Sequence, residues 1–341
     1  MRGHLARGMG GVALLLMAGA CSKAKEEAPK PVAAGPSAAV EAKLTPVKVA
    51  LDWVAEPEFG GFYAARERGF FKQHGLDVTL QGGGSGVPVM QMVAAGQADF
   101  GTTSADEVIT ARARGVDVMA VYAVYQTSPR ALMSHASRGD KDLGELLSKG
   151  TVSMEPGTPY SAFLKKKFGF DKVKVVPYDG GVARFVADKD FAQQCFVTSE
   201  PIAARRLGAD PVVFLVSDAG FNPYATVVFT RGALLKEQPA RVKEFVAAAR
   251  EGWRAYLDDA SATNAVMGKL NPSMDAETFA ASSKAQAPFI ETDETRARGL
   301  GVMSRERWAT LGQQLVELGL IDKAPAVDDF VWSEALAPAA K

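Results

Sequence analysis

Cysteine and histidine are almost absent from this chain of 341 residues. There are two cysteines, at 21 and 195, and three histidines, at 4, 74 and 135. A disulfide framework is therefore excluded, and a chain with 47% apolar residues does not need one. No set of His, Cys and Glu has metal-ligand spacing, so no metal centre is expected. An excess of one charge is also missing, since Lys and Arg total 39 and so do Asp and Glu. With no basic helix or aromatic-interleaved basic run, nucleic acid is excluded as a partner. No GxSxG elbow, P-loop or dinucleotide fingerprint stands in its required context, so no catalytic residue and no cofactor is assigned. The GGGSG run at 82–86 lacks the Lys-Ser/Thr of a P-loop and reads as a strand-to-helix turn near a cleft.

The N-terminus has the makings of an export signal over 1–20. Arg2 and Arg7 supply positive charge, and Val12 to Met17 form an apolar run too short to span a bilayer. Ala18, Gly19 and Ala20 are small enough for a peptidase groove. Cys21 follows them directly, an arrangement that resembles the lipobox of bacterial lipoproteins, with Ala18 where leucine is usual. That likeness implies lipidation of Cys21 and anchoring to a membrane; a signal cut elsewhere, with an incidental cysteine, is the alternative. Residues 21–45, rich in Ala, Pro, Lys and Glu, have little to bury and read as a disordered tether. Cys195, in an apolar run, reads as a small buried hydrophobe.

From Pro46 onward strand and helix signals alternate: VKVALDW, then FYAARERGFFKQHG; DVTLQGG, then VPVMQMVAAGQA; DFGTTS, then ADEVITARARG. Ser104 and Glu107 have capping-box spacing. The rhythm restarts after VDVMAVYAVYQ, where FVADKDFAQQ reads as a helix and QCFVTSEPIAARRLGA as a strand entering a helix. Strands apolar on both faces predict an α/β fold with mostly parallel sheets. In such folds ligands gather beyond the carboxyl ends of strands, where Trp53, Ser104 and Tyr125 lie.

LDW, GFYAARERGFF, GLDV, VAAGQADFG and FVTSEPIAARRLG together resemble the solute-binding proteins of ABC importers. The resemblance covers roughly residues 47–320. It is strongest to the group that takes thiamine-pyrimidine precursors, riboflavin, nitrate, sulfonates and taurine, and that includes the fungal pyrimidine-precursor synthases. It implies a type II periplasmic-binding-protein clamshell, with two lobes joined by two crossing strands as a hinge. Lobe 1 would comprise 46–128 and 224–337, and lobe 2 would comprise 129–223. Closure around a ligand is the expected motion.

Trp53 is the leading ligand candidate, as a platform for a flat ring, with a core tryptophan as the alternative. Glu200, in SEP, can accept two donors from an amine-bearing heterocycle; simple helix capping is the competing role. Gly157, Thr158 and Tyr160 open a helix whose exposed N–H groups can meet a ligand or merely start the helix. Ser104 either caps its helix or points into the cleft. Tyr178, Asn222 and Tyr224 are further candidates, and Tyr125 fits either ligand contact or hinge packing. Phe59 and Tyr63, from the EFGGFY turn, complete the set; Phe59 stands where pyrimidine binders carry a histidine, which admits a larger or more apolar ring.

The resemblance implies a lipid-anchored protein of the periplasm or cell envelope, delivering a small heterocycle to an ABC permease and its ATPase. A thiamine-related pyrimidine precursor is favoured, then riboflavin. A sulfonate, taurine or nitrate site would draw on Arg130, Arg184 or Arg231. A pyrimidine synthase would need a cysteine-rich run that the chain lacks.

Overall fold

The computed structural model describes residues 43–84 and 86–337; the signal segment, Cys21 and nearly all of the tether lie outside the described residues. Among the described residues ten strands occur: β1 Thr45–Ala50, β2 Leu76–Gln81, β3 Phe100–Thr103, β4 Val118–Tyr125, β5 Arg130–His135, β6 Thr151–Ser153, β7 Lys174–Val176, β8 Phe191–Phe196, β9 Pro211–Leu215 and β10 Ala225–Arg231. They form two five-stranded sheets, ordered β2-β1-β3-β10-β4 and β7-β6-β8-β5-β9. Helices flank both sheets, giving a two-lobed α/β clamshell with two chain crossings, 126–129 and 216–224. No helix among the described residues is long and apolar enough to cross a membrane.

The sheets are mostly parallel as expected, four of the five strands of each running the same way, with one antiparallel strand in each. β1 runs parallel to β2 and β3, but β10 is antiparallel to both β3 and β4. In the second sheet β6 is parallel to β7 and β8, whereas β5 is antiparallel to β8 and β9. The antiparallel members, β5 and β10, are the strands that have just crossed from the other sheet. A strand that arrives without a helical crossover is free of the parallel constraint.

Three local readings change. Strand β1 begins at Thr45, inside the stretch assigned to the tether, because the Thr45 N–H reaches the Gly75 carbonyl at 2.8 Å. The helix expected from Phe62 to Gly75 is two, Gly60–Glu67 and Phe70–Gln73, divided where Gly69 adopts a φ of 79°. FVADKDFAQQ is not one helix: Ala183–Ala187 is helical, and FAQQ begins β8. Gln193 and Gln194 are buried in that strand because side-chain hydrogen bonds satisfy them, to the Gly181 carbonyl at 3.1 Å and from the Glu155 N–H at 2.6 Å.

Helix Pro239–Asp258 closes the first lobe. Its Phe245 stacks on Phe100 at 4.0 Å, and its Trp253 meets Phe62 edge-on at 5.8 Å. Each fully buried aromatic contributes on the order of 1.5–3 kcal/mol through the area it removes from water. The crossings are braced at Asn222, whose Oδ1 accepts the Ser128 N–H at 2.8 Å while its carbonyl accepts Arg307 Nη2 at 2.9 Å. The Gln126 N–H donates to the Phe289 carbonyl at 2.8 Å.

Candidate functional site

A cavity of about 90 Å³ lies between the sheets. Ser104, Asp106 and Glu107 wall it after β3, Glu155, Thr158 and Tyr160 wall it after β6, and Phe196 closes β8. Arg130, the first residue of β5, reaches into the same space. Its guanidinium lies over the Phe196 ring at 4.5 Å and the Tyr160 ring at 5.1 Å, and stands 3.8 Å from Glu155. Burial works against its charge, but Tyr160, Glu155 and Glu200 more than offset this and hold its pKa up.

Glu200 begins helix Glu200–Arg206. One oxygen accepts the Tyr178 hydroxyl at 2.6 Å and the other the Phe196 N–H at 2.7 Å. Across the gap, Glu56 of the first lobe accepts the Ser199 hydroxyl at 3.3 Å. Trp53 is half-buried against the first-lobe core and supplies a further hydrogen bond to Glu56. The loop that carries Trp53 is held by glycine: Gly83 donates to the Trp53 carbonyl at 2.9 Å, and a Cβ there would lie 2.0 Å from the Leu51 oxygen.

Carboxylates crowd this space. Burial pushes Glu56 up to about 7, with the charge of Glu200 adding to the effect. Burial likewise raises Glu107 to about 7, helped by Asp106, and carries Glu58 well above the ordinary range. Asp52 and Asp106 are raised by burial against the opposing hydrogen bonds of Thr102 and Ser104, respectively. Asp52 and Glu107 keep solvent contact through the cleft; the protein mass on their other sides is what disfavours their charge. Glu200 is also raised by burial, with Tyr178 opposing. The result is a site rich in acceptors, two of them, Glu56 and Glu107, poised to gain or lose a proton near neutrality.

The structure brings Trp53, Ser104, Thr158, Tyr160, Tyr178 and Glu200 to the gap between the lobes. Ser104 precedes its helix without making the expected side-chain cap, which leaves its hydroxyl facing the cavity. Gly157 is exposed with a φ of 76° in the turn before Thr158. Other candidates serve the interior. Phe59 has no accessible surface, and Tyr63 is packed in the core under Arg66. Tyr125 is buried, its hydroxyl donating to Gln286 at 2.7 Å. The Tyr224 hydroxyl accepts the Ser304 N–H at 2.8 Å, with Arg307 over its ring, and Asn222 braces the crossing. In this conformation these five residues present packing and hinge contacts, not cavity wall. Of the three arginines, Arg231 is engaged by the Val93 and Ala98 carbonyls and Arg184 lies over Phe191, so Arg130 alone of them reaches the cavity.

Sequence reasoning passed over Asp52, Glu56, Glu58, Asp106 and Glu155. Asp52, Asp106 and Glu155 each follow the carboxyl end of a strand, and that position is the signal that would have found them. A larger hollow of about 390 Å³ lies on the outside of the first lobe beside Arg250, Arg254 and Arg296. Those arginines are engaged by the Leu300 carbonyl, Asp258, Glu291 and Asp293, so the hollow is surface relief, not a site.

The chain is 25% identical over 343 residues to the riboflavin-binding protein RibY of Chloroflexus aurantiacus, with 95% of each chain covered. The periplasmic aliphatic sulphonate binding protein SsuA of Escherichia coli shares its fold, with a TM-score of 0.67 at 14% identity over 87% of this chain and 93% of that one. The periplasmic nitrate-binding protein NrtA of Synechocystis PCC 6803 does so with a TM-score of 0.64 at 14% identity, covering 86% and 87%. The model of the family described as NMT1/THI5 like matches residues 56–262, more than half of the chain. With this match and the two-lobed fold of periplasmic binding proteins, the chain belongs to the NMT1/THI5-like family.

Proposed function

We propose that this chain is an exported solute-binding protein, anchored through Cys21, that captures a flat heterocycle between its lobes and delivers it to the permease and ATPase of an ABC importer. The observation that carries this reading is the pre-oriented Glu200, held by Tyr178 and the Phe196 N–H and facing Glu56 and Trp53 of the other lobe. Such an edge accepts ring N–H or amine donors, and Trp53 supplies a face for stacking. The riboflavin-binding relative supports an isoalloxazine-type ligand as the first choice. An aminopyrimidine of the thiamine-precursor kind is second, supported by the two-donor geometry at Glu200. Nitrate and sulfonate fit less well, because one arginine faces many carboxylates.

A binding role is proposed over catalysis: Cys195 is fully buried with its thiol pushed up by burial, out of reach as a nucleophile. The experiment is a titration of the mature chain with riboflavin, the aminopyrimidine, taurine and nitrate. Submicromolar binding of a heterocycle, lost in Trp53→Ala and Glu200→Ala, is expected. Binding of an anion alone, untouched by those substitutions, would reject this reading.

A further inference from the structure

We infer that Gln286 is a positioning residue of the cleft: with Asn271 it holds the turn that carries Glu56, and through Tyr125 it ties that turn to the hinge. This rests on the reading of Glu56 and Glu200 as the two sides of the ligand site, and it gives a role to side chains set behind the cleft wall.

Gln286 has no accessible surface, and Asn271 is 5% exposed. An amide placed so deep costs stability unless its atoms are hydrogen-bonded, and a methionine would fill the place of Gln286 without that demand. What the two amides hold is specific. Asn271 Nδ2 donates to the Ala55 carbonyl at 3.3 Å, and Gln286 Nε2 donates to the Pro57 carbonyl at 2.9 Å. Those carbonyls belong to the residues on either side of Glu56. The Glu56 carbonyl itself accepts the Phe59 N–H at 2.9 Å, so its side chain leaves a backbone anchored at three successive points. A ligand-facing carboxylate gains its precision from such supporting bonds.

The other end of Gln286 faces the hinge. Its Oε1 accepts the Tyr125 hydroxyl at 2.7 Å, and Tyr125 ends β4 directly before the crossing at 126–129. Thr198, two residues before Glu200 in the other lobe, supplies a hydrogen bond to the same hydroxyl. Helix Ala276–Ile290, which carries Gln286, also grips the crossing: the Phe289 carbonyl accepts the Gln126 N–H at 2.8 Å and the Thr127 N–H at 3.2 Å.

Hydrogen bonds thus run from the turn of Glu200 through Thr198, Tyr125 and Gln286 to the turn of Glu56. Glu56 closes the ring by accepting the Ser199 hydroxyl at 3.3 Å. Bonds in such a ring support one another, because each fixes the geometry of the next. Rotation of the lobes at the hinge moves Tyr125 against Gln286 and with it the seat of Glu56. One buried amide therefore makes ligand seating and closure a single event.

The test uses the full mature chain with Gln286→Met, Tyr125→Phe and Glu56→Gln. Gln286→Met keeps the length of the side chain and deletes both bonds, whereas Tyr125→Phe deletes the hinge-side bond alone. Riboflavin is titrated by flavin fluorescence and the aminopyrimidine by calorimetry. Gln286→Met is expected to weaken whichever ring binds by about tenfold, and Tyr125→Phe by about threefold. In a Glu56→Gln background the Gln286 substitution is expected to add less than about twofold, because its effect passes through Glu56. An amide that only stabilises the lobe would lower the melting temperature and show the same loss of affinity in both backgrounds. That additivity, or wild-type affinity in both Gln286→Met and Tyr125→Phe, would overturn the positioning role and leave the heterocycle reading standing. If Gln286→Met does not fold, the same cycle is run with Tyr125→Phe. If neither ring binds the wild type, the heterocycle reading falls, and small-angle scattering of the unliganded proteins decides the tie to the hinge. A larger radius of gyration in Gln286→Met and Tyr125→Phe than in the wild type supports that tie, and identical curves reject it.

Discussion

The Tyr178 phenol donates to one oxygen of Glu200 at 2.6 Å while the Phe196 N–H fills the other at 2.7 Å. The two residues belong to different segments of the second lobe, and their union fixes a carboxylate that a helix start alone would leave free to turn. Burial disfavours charge on Glu200, and the Tyr178 bond opposes that effect. Tyr178→Phe keeps the ring packing and deletes this donor. A hydrogen bond to a charged group contributes about 1.5–3 kcal/mol, so the ring ligand should bind roughly 10- to 100-fold more weakly. Calorimetry of the variant checks this; an unchanged affinity would mean that Glu200 does not meet the ligand.

The protonation of the unliganded cleft sets a pH dependence. Glu56 and Glu107 have folded values near 7 against 4.5 in the unfolded chain, so the folded state binds more protons between these limits. Their contribution is greatest below the unfolded value and is lost as pH climbs toward 7. His74 acts in the same direction at a higher pH. Burial opposes its charge, but bonds to Glu244 at 2.5 Å and Glu251 at 2.9 Å raise its value above the usual 6.5. Its contribution is full below 6.5 and fades as pH passes the raised folded value. The melting temperature of the unliganded protein should therefore fall steadily from pH 5 to pH 8. Glu107→Gln should flatten the lower part of that curve and His74→Gln the upper part. A melting temperature that rises with pH would contradict both assignments.

How much of this was legible in the sequence follows from where the signals lie. Strand and helix periodicity exposed the alternating elements because apolar residues such as those of VMAVYAVY bury on both faces. It failed at FAQQ, where two glutamines enter the core through hydrogen bonds that no periodicity reports. Glu200, Tyr178 and Trp53 were visible through residue type and position at strand ends. The buried Phe59, Tyr63, Tyr125 and Tyr224 were not distinguishable from ligand contacts, since an aromatic near a turn looks the same whether it faces core or cleft. Asp106 gave no signal of its own, and Glu107 was legible only as a capping-box partner of Ser104. Only the approach of the second lobe, with Arg130 and Glu155, gives them a cavity to face.

Across the lobes, Arg206 at the end of helix Glu200–Arg206 pairs with Asp275 at 3.1 Å and with Glu277. Asp275 also caps helix Ala276–Ile290 through the Thr278 N–H at 2.8 Å, so Arg206 is the partner to alter. All three side chains are solvent-exposed, and exposed pairs contribute little individually and are screened by salt. Arg206→Glu replaces attraction by repulsion and should favour the open clamshell. A larger radius of gyration without ligand and a loss of affinity of a few-fold are expected. Added salt should weaken ligand binding by the wild type but not by the variant. Identical scattering curves for the two proteins would remove the pair from any part in closure.

Gly82 and Gly83 give a paired test of the loop that carries Trp53. A methyl group at Gly82 meets nothing within 4 Å, whereas at Gly83 it would lie 2.0 Å from the Leu51 oxygen and 2.8 Å from the Asp52 carbonyl carbon. Both neighbours are backbone, at the end of β1, and cannot swing aside as a side chain would. Gly83→Ala must therefore push the 82–84 turn off Leu51 and Asp52 or distort the loop, and it strains the 2.9 Å bond from the Gly83 N–H to the Trp53 carbonyl. A steric conflict of this sort costs about 1–3 kcal/mol, roughly 2–4 °C of melting temperature per kcal/mol in a domain of 150–250 residues and less in a larger one. Gly82→Ala should leave both stability and binding near wild type. The useful comparison is ligand affinity in the Gly83 variant at a temperature where it remains folded. If Trp53 is the platform, its displaced loop should weaken ring binding by tenfold or more. If the variant is less stable yet binds normally, Trp53 belongs to the core and the ring is held by Glu200 and its neighbours alone.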